Sequence, residues 1–144
     1  MAEFVSIMGM AHAPGVTGWL ESCPQEEQDA IQAGYGELGQ IMKDARPDVI
    51  IGVANDHLLN LPLKNPPHWR VDEAAEWNGP AEFFKAWLKQ PGYHVKGRPD
   101  VAAKIHAAAS AEGHHIDKGS GLLFDDNWSV PLWYLGYAVP IVPI

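Results

Sequence analysis

The sequence has a single cysteine, few basic residues and no long apolar run. Because Cys23 is the only cysteine among 144 residues, neither a disulfide framework nor a thiolate zinc cluster can form within the chain. Lysine and arginine total ten, against eighteen acidic residues, which leaves a net charge of −8. This charge disfavours a nucleic acid or an anionic membrane surface as partner, and we expect neither.

Two further absences bear on location. No stretch approaches the roughly 18 to 20 apolar residues that would span a bilayer. The N-terminal residues (MAEFV) lack the basic region and the long apolar run of a signal peptide. We therefore expect a cytoplasmic protein.

The composition that remains is suited to one folded domain, since 47% of the residues are hydrophobic and only 19% are charged. Residues 4–10 (FVSIMGM) and 48–54 (DVIIGVA) predict buried strands. A helix is predicted between them, capped by Ser22 at a start within residues 22–26 and ending at about residue 43 or 46. Residues 58–96, rich in proline and tryptophan, predict a long loop with one helix near residues 81–88.

The remaining residues predict a helix at 99–112, a strand at 115–123, a short helical turn at 131–137 and a strand at 138–144. This order predicts an α/β fold with a mainly parallel central sheet flanked by helices. The chain ends on its last apolar strand, which would leave a hydrophobic edge exposed. We therefore expect residues 1–144 to be the N-terminal half of a single domain that packs against further polypeptide, either a C-terminal half or a partner subunit.

Two histidines follow the first two predicted strands. His12 comes directly after the first and His57 just after the second. A right-handed crossover makes such strands parallel, so both imidazoles emerge at the edge of the sheet where ligands bind. Neighbouring strands lie about 4.8 Å apart, close enough for two imidazoles to share one ion. The spacing predicts His12 and His57 as metal ligands; the alternative is that each is a hydrogen-bonded turn residue.

The residues beside His57 have two possible roles. Asn55 and Asp56 could orient the imidazole of His57, as the outer contacts of a metal site usually do. They could equally form the turn that follows the strand, since both residue types favour turns. His68, in the tryptophan-rich loop, is a candidate substrate contact.

Five segments, in order along the chain, form a set of motifs: residues 6–14 (SIMGMAHAP), 49–57 (VIIGVANDH), 95–102 (VKGRPDVA), 125–132 (DDNWSVPL) and 139–144 (VPIVPI). Together they resemble segments of the type III extradiol ring-cleaving dioxygenases. The first two resemble that family's histidine motifs, and the other three resemble its entry into a central helix, its Asp-His-Gly-x-x-Val-Pro-Leu segment and the strand that follows.

The resemblance implies iron(II) as the cofactor, held by two histidines and a glutamate that leave positions open for an aromatic substrate and dioxygen. Carried onto this chain, the two histidines are His12 and His57. The glutamate and an acid/base histidine belong to the family's C-terminal half, and no residue here matches them. The resemblance therefore implies an enzyme that is active only with that half or with a partner chain, and we also expect a homo-oligomer.

The chain departs from the family where Asp126 replaces the histidine after Asp125, and where Asn127 replaces the following glycine. A carboxylate there would repel an anionic substrate, or serve as a base or as a counter-charge to an amine. We predict Asp126 as a catalytic residue that sets the substrate, near the metal without coordinating it. Asp125 is predicted as an outer or substrate-binding contact. The alternative is that Asp126 caps a short helix at residues 129–137.

We predict the first of three functions, and the other two are alternatives to it. The first is extradiol-type cleavage of a catechol- or aminophenol-like ring by a non-haem iron(II) enzyme. The second is a non-catalytic or degenerate subunit of such an enzyme, which the exchange at Asp126 and the absent glutamate favour. The third is a metal hydrolase that uses Zn²⁺ at the same sheet edge.

Overall fold

A computed structural model describes residues 2–144 and shows an α/β architecture, which confirms the predicted fold class. The elements, in chain order, are α1 (Gly15–Gly18), a 3-10 turn (Leu20–Ser22), α2 (Gln25–Ala45), β1 (Ile50–Gly52), β2 (Trp69–Asp72), β3 (Glu76–Gly79), α3 (Glu82–Leu88), β4 (Tyr93–Lys96), α4 (Pro99–Ala111), β5 (Ile116–Gly119), α5 (Asp126–Leu135) and β6 (Ile141–Pro143).

The strands form three hydrogen-bonded pairs. β1 is parallel to β6, β2 is parallel to β5, and β3 is antiparallel to β4. Ile141 of β6 faces Ile50 of β1 and also forms a parallel bridge with Gly97, directly after β4. β6 therefore lies between β1 and the end of β4, and it carries a fully buried run of three residues.

Helix α2 packs one face against α5. Tyr35, Gly39 and Met42 are buried, and their spacing of four and three residues places them on one side of the helix. Gly39 allows a close approach, because an added Cβ would lie 2.7 Å from the Tyr134 carbonyl oxygen of α5. The helix ends where Arg46 adopts a left-handed conformation, with φ of 46°. Neither this helix nor any other within residues 2–144 is long and apolar enough to cross a membrane.

An aromatic core joins α5 to β1. Phe124 is fully buried, and its ring centroid lies 5.4 Å from that of Trp77 and 5.6 Å from that of Trp128. Trp128, in the first turns of α5, packs on Gly52 of β1, where an added Cβ would lie 2.6 Å from the indole. This packing places the start of α5 beside the end of β1.

The strand predicted at residues 4–10 is absent from the structure, so that prediction is wrong. The segment takes no part in the pairing found among the described residues, and Phe4 and Ile7 are 83% and 85% exposed. An apolar run forms a strand only where a neighbouring backbone offers hydrogen bonds and a face to cover it. Met10, at the end of the segment, packs against the buried cluster that contains Tyr35.

The long loop predicted at residues 58–96 is wrong where the structure forms three short strands. It contains β2, β3 and β4, although its predicted helix is present as α3. These strands have four residues each, too short for alternation to stand out among the prolines and tryptophans. The turn predicted at residues 131–137 belongs to a longer helix, since α5 begins five residues earlier and continues through Pro131.

Candidate metal centre

The two predicted metal ligands lie next to each other. The ring centroids of His12 and His57 are 5.2 Å apart, and the ring planes are inclined by 50°. His57 follows β1, which carries it to the carboxyl end of a parallel strand. His12 follows the unpaired segment and precedes α1, and Tyr35 of α2 holds that region by donating a hydrogen bond to the Ala11 carbonyl oxygen, at 2.7 Å.

Two buried aspartates face the same imidazole. Nδ1 of His57 lies 3.1 Å from Oδ1 of Asp126 and 3.4 Å from Oδ2 of Asp125. An ionised carboxylate can only accept a hydrogen bond, so Nδ1 donates and the lone pair of Nε2 is left free for a ligand. The two aspartates therefore orient His57, a role that the sequence assigned to Asn55 and Asp56 as one of two alternatives.

Asp125 caps helix α5. One of its carboxylate oxygens accepts a hydrogen bond from the Asn127 backbone N–H, at 3.0 Å. Asp126 is the first residue of the helix, so the alternative that Asp126 is the cap is wrong. The cap also sets the direction of the neighbouring side chain, because it determines where the helix begins.

The electrostatics of the pair are unusual because both carboxylates are buried side by side. Asp125 is 1% exposed and Asp126 is 5% exposed. Burial, together with the neighbouring charge of Asp126, raises the pKa of Asp125 to about 6, although His57 opposes the change. Close to neutral pH, the pair is therefore a site where a bound cation would relieve an uncompensated negative charge.

The other predicted residues lie around this centre. The carboxylate of Asp56 accepts three backbone hydrogen bonds, from Leu59, Asn60 and Leu61, and thus forms the turn after His57. The Asn55 carbonyl oxygen accepts a hydrogen bond from the side chain of Asn127.

His68, the candidate substrate contact, is exposed immediately before β2. Sequence reasoning missed Asn60 and Asn127 as structural contacts of the centre. Their partners lie more than 60 residues away, and no local pattern reports such a distance.

The donor atoms suit a metal ion. His57, Asp125 and Asp126 each offer one ligand atom, all within 4.8 Å of one another. In the other tautomer of His57, in which Nδ1 carries no proton, the 3.1 Å between Nδ1 and Oδ1 of Asp126 would also fit two ligands bound at about 2.1 Å on one ion at a right angle. This ligand set is an alternative to metal binding through Nε2. Imidazole and carboxylate ligands bind iron, zinc and manganese, so these residues are compatible with each of the three ions and do not distinguish between them.

The charge of Asp125 gives a testable pH dependence. Its pKa is raised in the folded protein, so this carboxyl stabilises the fold fully below about pH 4, and that contribution is lost as the pH rises through 6. We expect the metal-free Asp125→Asn variant, which keeps the capping oxygen, to match the parent near pH 4. At pH 7 it should be more stable by about 1 to 2 kcal/mol, allowing for partial solvation.

Urea unfolding across this pH range, with a chelator present, measures the difference. Asp29→Asn, which changes an exposed aspartate on α2 that accepts a hydrogen bond from the neutral Gln25 side chain, is the matched control. A stability difference for Asp125→Asn that stays constant from pH 4 to 7 would contradict the assignment.

The fold and the centre define an α/β protein with a histidine and carboxylate cluster suited to a metal ion, at the end of a parallel strand. Residues 6–144 match the family described as the catalytic LigB subunit of aromatic ring-opening dioxygenase. The chain therefore belongs to this family, which confirms the resemblance seen in the sequence and indicates dioxygenase chemistry in general. A comparison with curated proteins found no match.

Proposed function

We propose that this chain forms part of a non-haem iron(II) dioxygenase that cleaves catechol- or aminophenol-like rings in the extradiol manner. The observation that carries the proposal is the 5.2 Å separation of His12 and His57 beside the end of β1, in a chain of the ring-opening family. The first role we assign to the protein is to present these two imidazoles together.

The residues fit iron(II) as the cofactor. His12 and His57 would hold it, and the site would leave positions open, as in two-histidine, one-carboxylate oxygenases. Bound iron would supply the redox chemistry that adds both atoms of dioxygen to the ring beside its hydroxyl groups. The buried aspartates support the assignment because they leave a negative charge for a cation to balance.

The protein's own residues would orient the imidazole of His57 and select the substrate. Asp125 and Asp126 keep the His57 ring turned so that Nε2 faces away from the two carboxylates. Asp126 would also act on the substrate directly, by favouring a hydrogen-bond donor or an amine over a second anion. We propose this carboxylate as the group that sets the substrate class.

We also propose that further polypeptide completes the site, as a C-terminal half or a partner subunit, within a homo-oligomer. The support is the exposure of four apolar side chains, Phe4, Val5, Ile7 and Val53, which are each 50–85% exposed. The covering polypeptide would supply the glutamate and the acid/base histidine that the family resemblance implies. A cytoplasmic location stays a prediction.

A second candidate is a non-catalytic or degenerate subunit of such an enzyme. The observation that favours it is the contact of His57 with two aspartates of its own chain, where the family pattern has a histidine after Asp125. In that case the metal centre would be structural, and turnover would be absent.

Oxygen uptake decides between these functions. The protein, kept with any chain that co-purifies, is loaded anaerobically with Fe²⁺ and given a panel of catechols and aminophenols. We expect uptake coupled to substrate loss, and a ring-opened product that contains both atoms of isotopically labelled dioxygen. Iron binding without uptake on any substrate would support the degenerate subunit, hydrolysis with Zn²⁺ alone would indicate a hydrolase, and failure to bind iron would overturn the proposal. Intact mass of the purified protein identifies the partner polypeptide.

A further inference from the structure

Three hydrogen-bonded bridges join the loop after β1 to the segment that enters α5. Asn127 donates from its side chain to the Asn55 carbonyl oxygen, and His57 contacts Asp126. Asn60 pairs with Leu123. Along the loop the bridging residues occur in the order Asn55, His57, Asn60. Their partners occur in the reverse order along the other segment, so His57 has one asparagine bridge on each side.

The Asn60 side chain forms the pair of backbone hydrogen bonds that a neighbouring strand would form. Its Oδ1 accepts the Leu123 backbone N–H at 2.7 Å, and its Nδ2 donates to the Leu123 carbonyl oxygen at 3.2 Å. One amide thus satisfies both polar backbone groups of Leu123, two residues before Asp125. Such a paired contact restricts both distance and direction more than a single bond does.

The main chain of Asn60 is held from the other side. Its N–H donates to Oδ1 of Asp56 at 2.9 Å, and its carbonyl oxygen accepts a hydrogen bond from Nη1 of Arg70 at 3.2 Å. Arg70 is itself paired at 2.7 Å with Asp72, which is 3% exposed on β2. Asn60 therefore connects the loop that carries His57 to the interior of the sheet.

Asn127 provides the bridge on the other side of His57. It is 5% exposed, its backbone N–H donates to the Asp125 cap at 3.0 Å, and its side chain reaches the Asn55 carbonyl oxygen. A glycine, the residue that the family pattern has here, could make the first contact but not the second. The side chain is what ties α5 to the residue two positions before His57.

We propose that Asn60 and Asn127 are positioning residues that brace His57 against Asp125 and Asp126 and thereby set the metal affinity of the site. The inference rests on the proposed function, since it takes His57 to be a ligand. The His57 side chain is 34% exposed, so packing alone holds it weakly. The next residue, Leu58, has φ of 63°, so the chain turns sharply there and depends on the bridges to hold its path.

Metal titration of the full chain, with any co-purifying polypeptide, tests whether Asn60 and Asn127 position His57 for metal binding. Co²⁺ is the probe, followed by its visible absorption, for the parent, Asn60→Ala, Asn127→Ala and Asn60→Asp. We expect each alanine variant to bind Co²⁺ about tenfold more weakly, as is typical when an outer contact of a metal ligand is lost. Asn60→Asp keeps the acceptor and loses the donor, so its affinity should fall between parent and alanine variant.

Ile105→Val, in α4 and packed against the separate cluster of Val71 and Ala102, is the control for a general loss of stability. It should lower the melting temperature and leave Co²⁺ affinity unchanged. Parent protein that fails to bind Co²⁺ overturns the proposed metal site and this role with it. If the parent binds Co²⁺ and the asparagine variants bind it with the same affinity, only the positioning role of Asn60 and Asn127 is overturned. If Asn60→Ala does not fold, the Co²⁺ affinity of Asn60→Asp is compared with that of the parent in its place.

Discussion

Replacing His57 with alanine is expected to abolish ring cleavage and to weaken metal binding by at least about a hundredfold, and His12→Ala should do the same. A site with two protein imidazoles loses one of its few strong donors in either variant. For His57 the loss also leaves two buried carboxylates without their neighbour, since the imidazole lies 3.1 Å and 3.4 Å from them. Oxygen uptake with Fe²⁺ and a titration with Co²⁺ measure the two effects.

His115→Ala is the matched control, because that side chain is 82% exposed and contacts only Asp117 among the titratable groups of the described residues. It should keep both metal affinity and oxygen uptake. The pair of variants also separates two donor sets, since the atoms within 4.8 Å of one another belong to His57, Asp125 and Asp126 and do not include His12. Full metal binding by His12→Ala would show that the ion is held by His57 and the aspartates, and full binding by both variants would contradict the proposed site.

Replacing Asp126 is expected to change which substrate is accepted. A carboxylate about 5 Å from an anionic oxygen costs about 3 kcal/mol at an effective dielectric constant of 20, which corresponds to about a hundredfold in rate or affinity. We therefore expect Asp126→His to shift the preference toward a catechol by about that factor. Asp126→Asn should lose the parent's preference without gaining the new one.

The comparison uses kcat/KM on a catechol and on an aminophenol, with iron content checked for each variant. Because Asp125 and not Asp126 caps α5, a change at Asp126 alone leaves the helix cap intact. If both variants keep the parent's preference and change only the melting temperature, then Asp126 supports the fold and does not act on the substrate.

Several elements could be predicted from local pattern alone. α2 and α4 have the apolar spacing and the length of amphipathic helices, and they occur close to the predicted bounds. β1 and β6 are short apolar runs that pair with each other, and each occurs within its predicted range. In these segments local preference and tertiary environment agree, which is why the pattern is sufficient.

Other elements depended on partners far along the chain. Residues 4–10 have the composition of a strand but find no neighbouring backbone among residues 2–144. β2 pairs with β5, so Trp69 lies opposite Ile116, 47 positions away in the sequence by their residue numbers. Four-residue strands of this kind are set by pairing, and pairing is a property of the whole fold.

The sequence by itself determined the family, the α/β class and the closeness of His12 to His57, because each of these is carried by an ordered motif or by a local apolar pattern. Only the tertiary structure decided which carboxylates face His57. Asp56, one position away in the chain, turns to the backbone of its own loop, while Asp126, 69 positions away, reaches the imidazole. The reason is that a helix cap, a stack of aromatic rings and two asparagine bridges together determine the direction of these side chains, and none of those contacts is local.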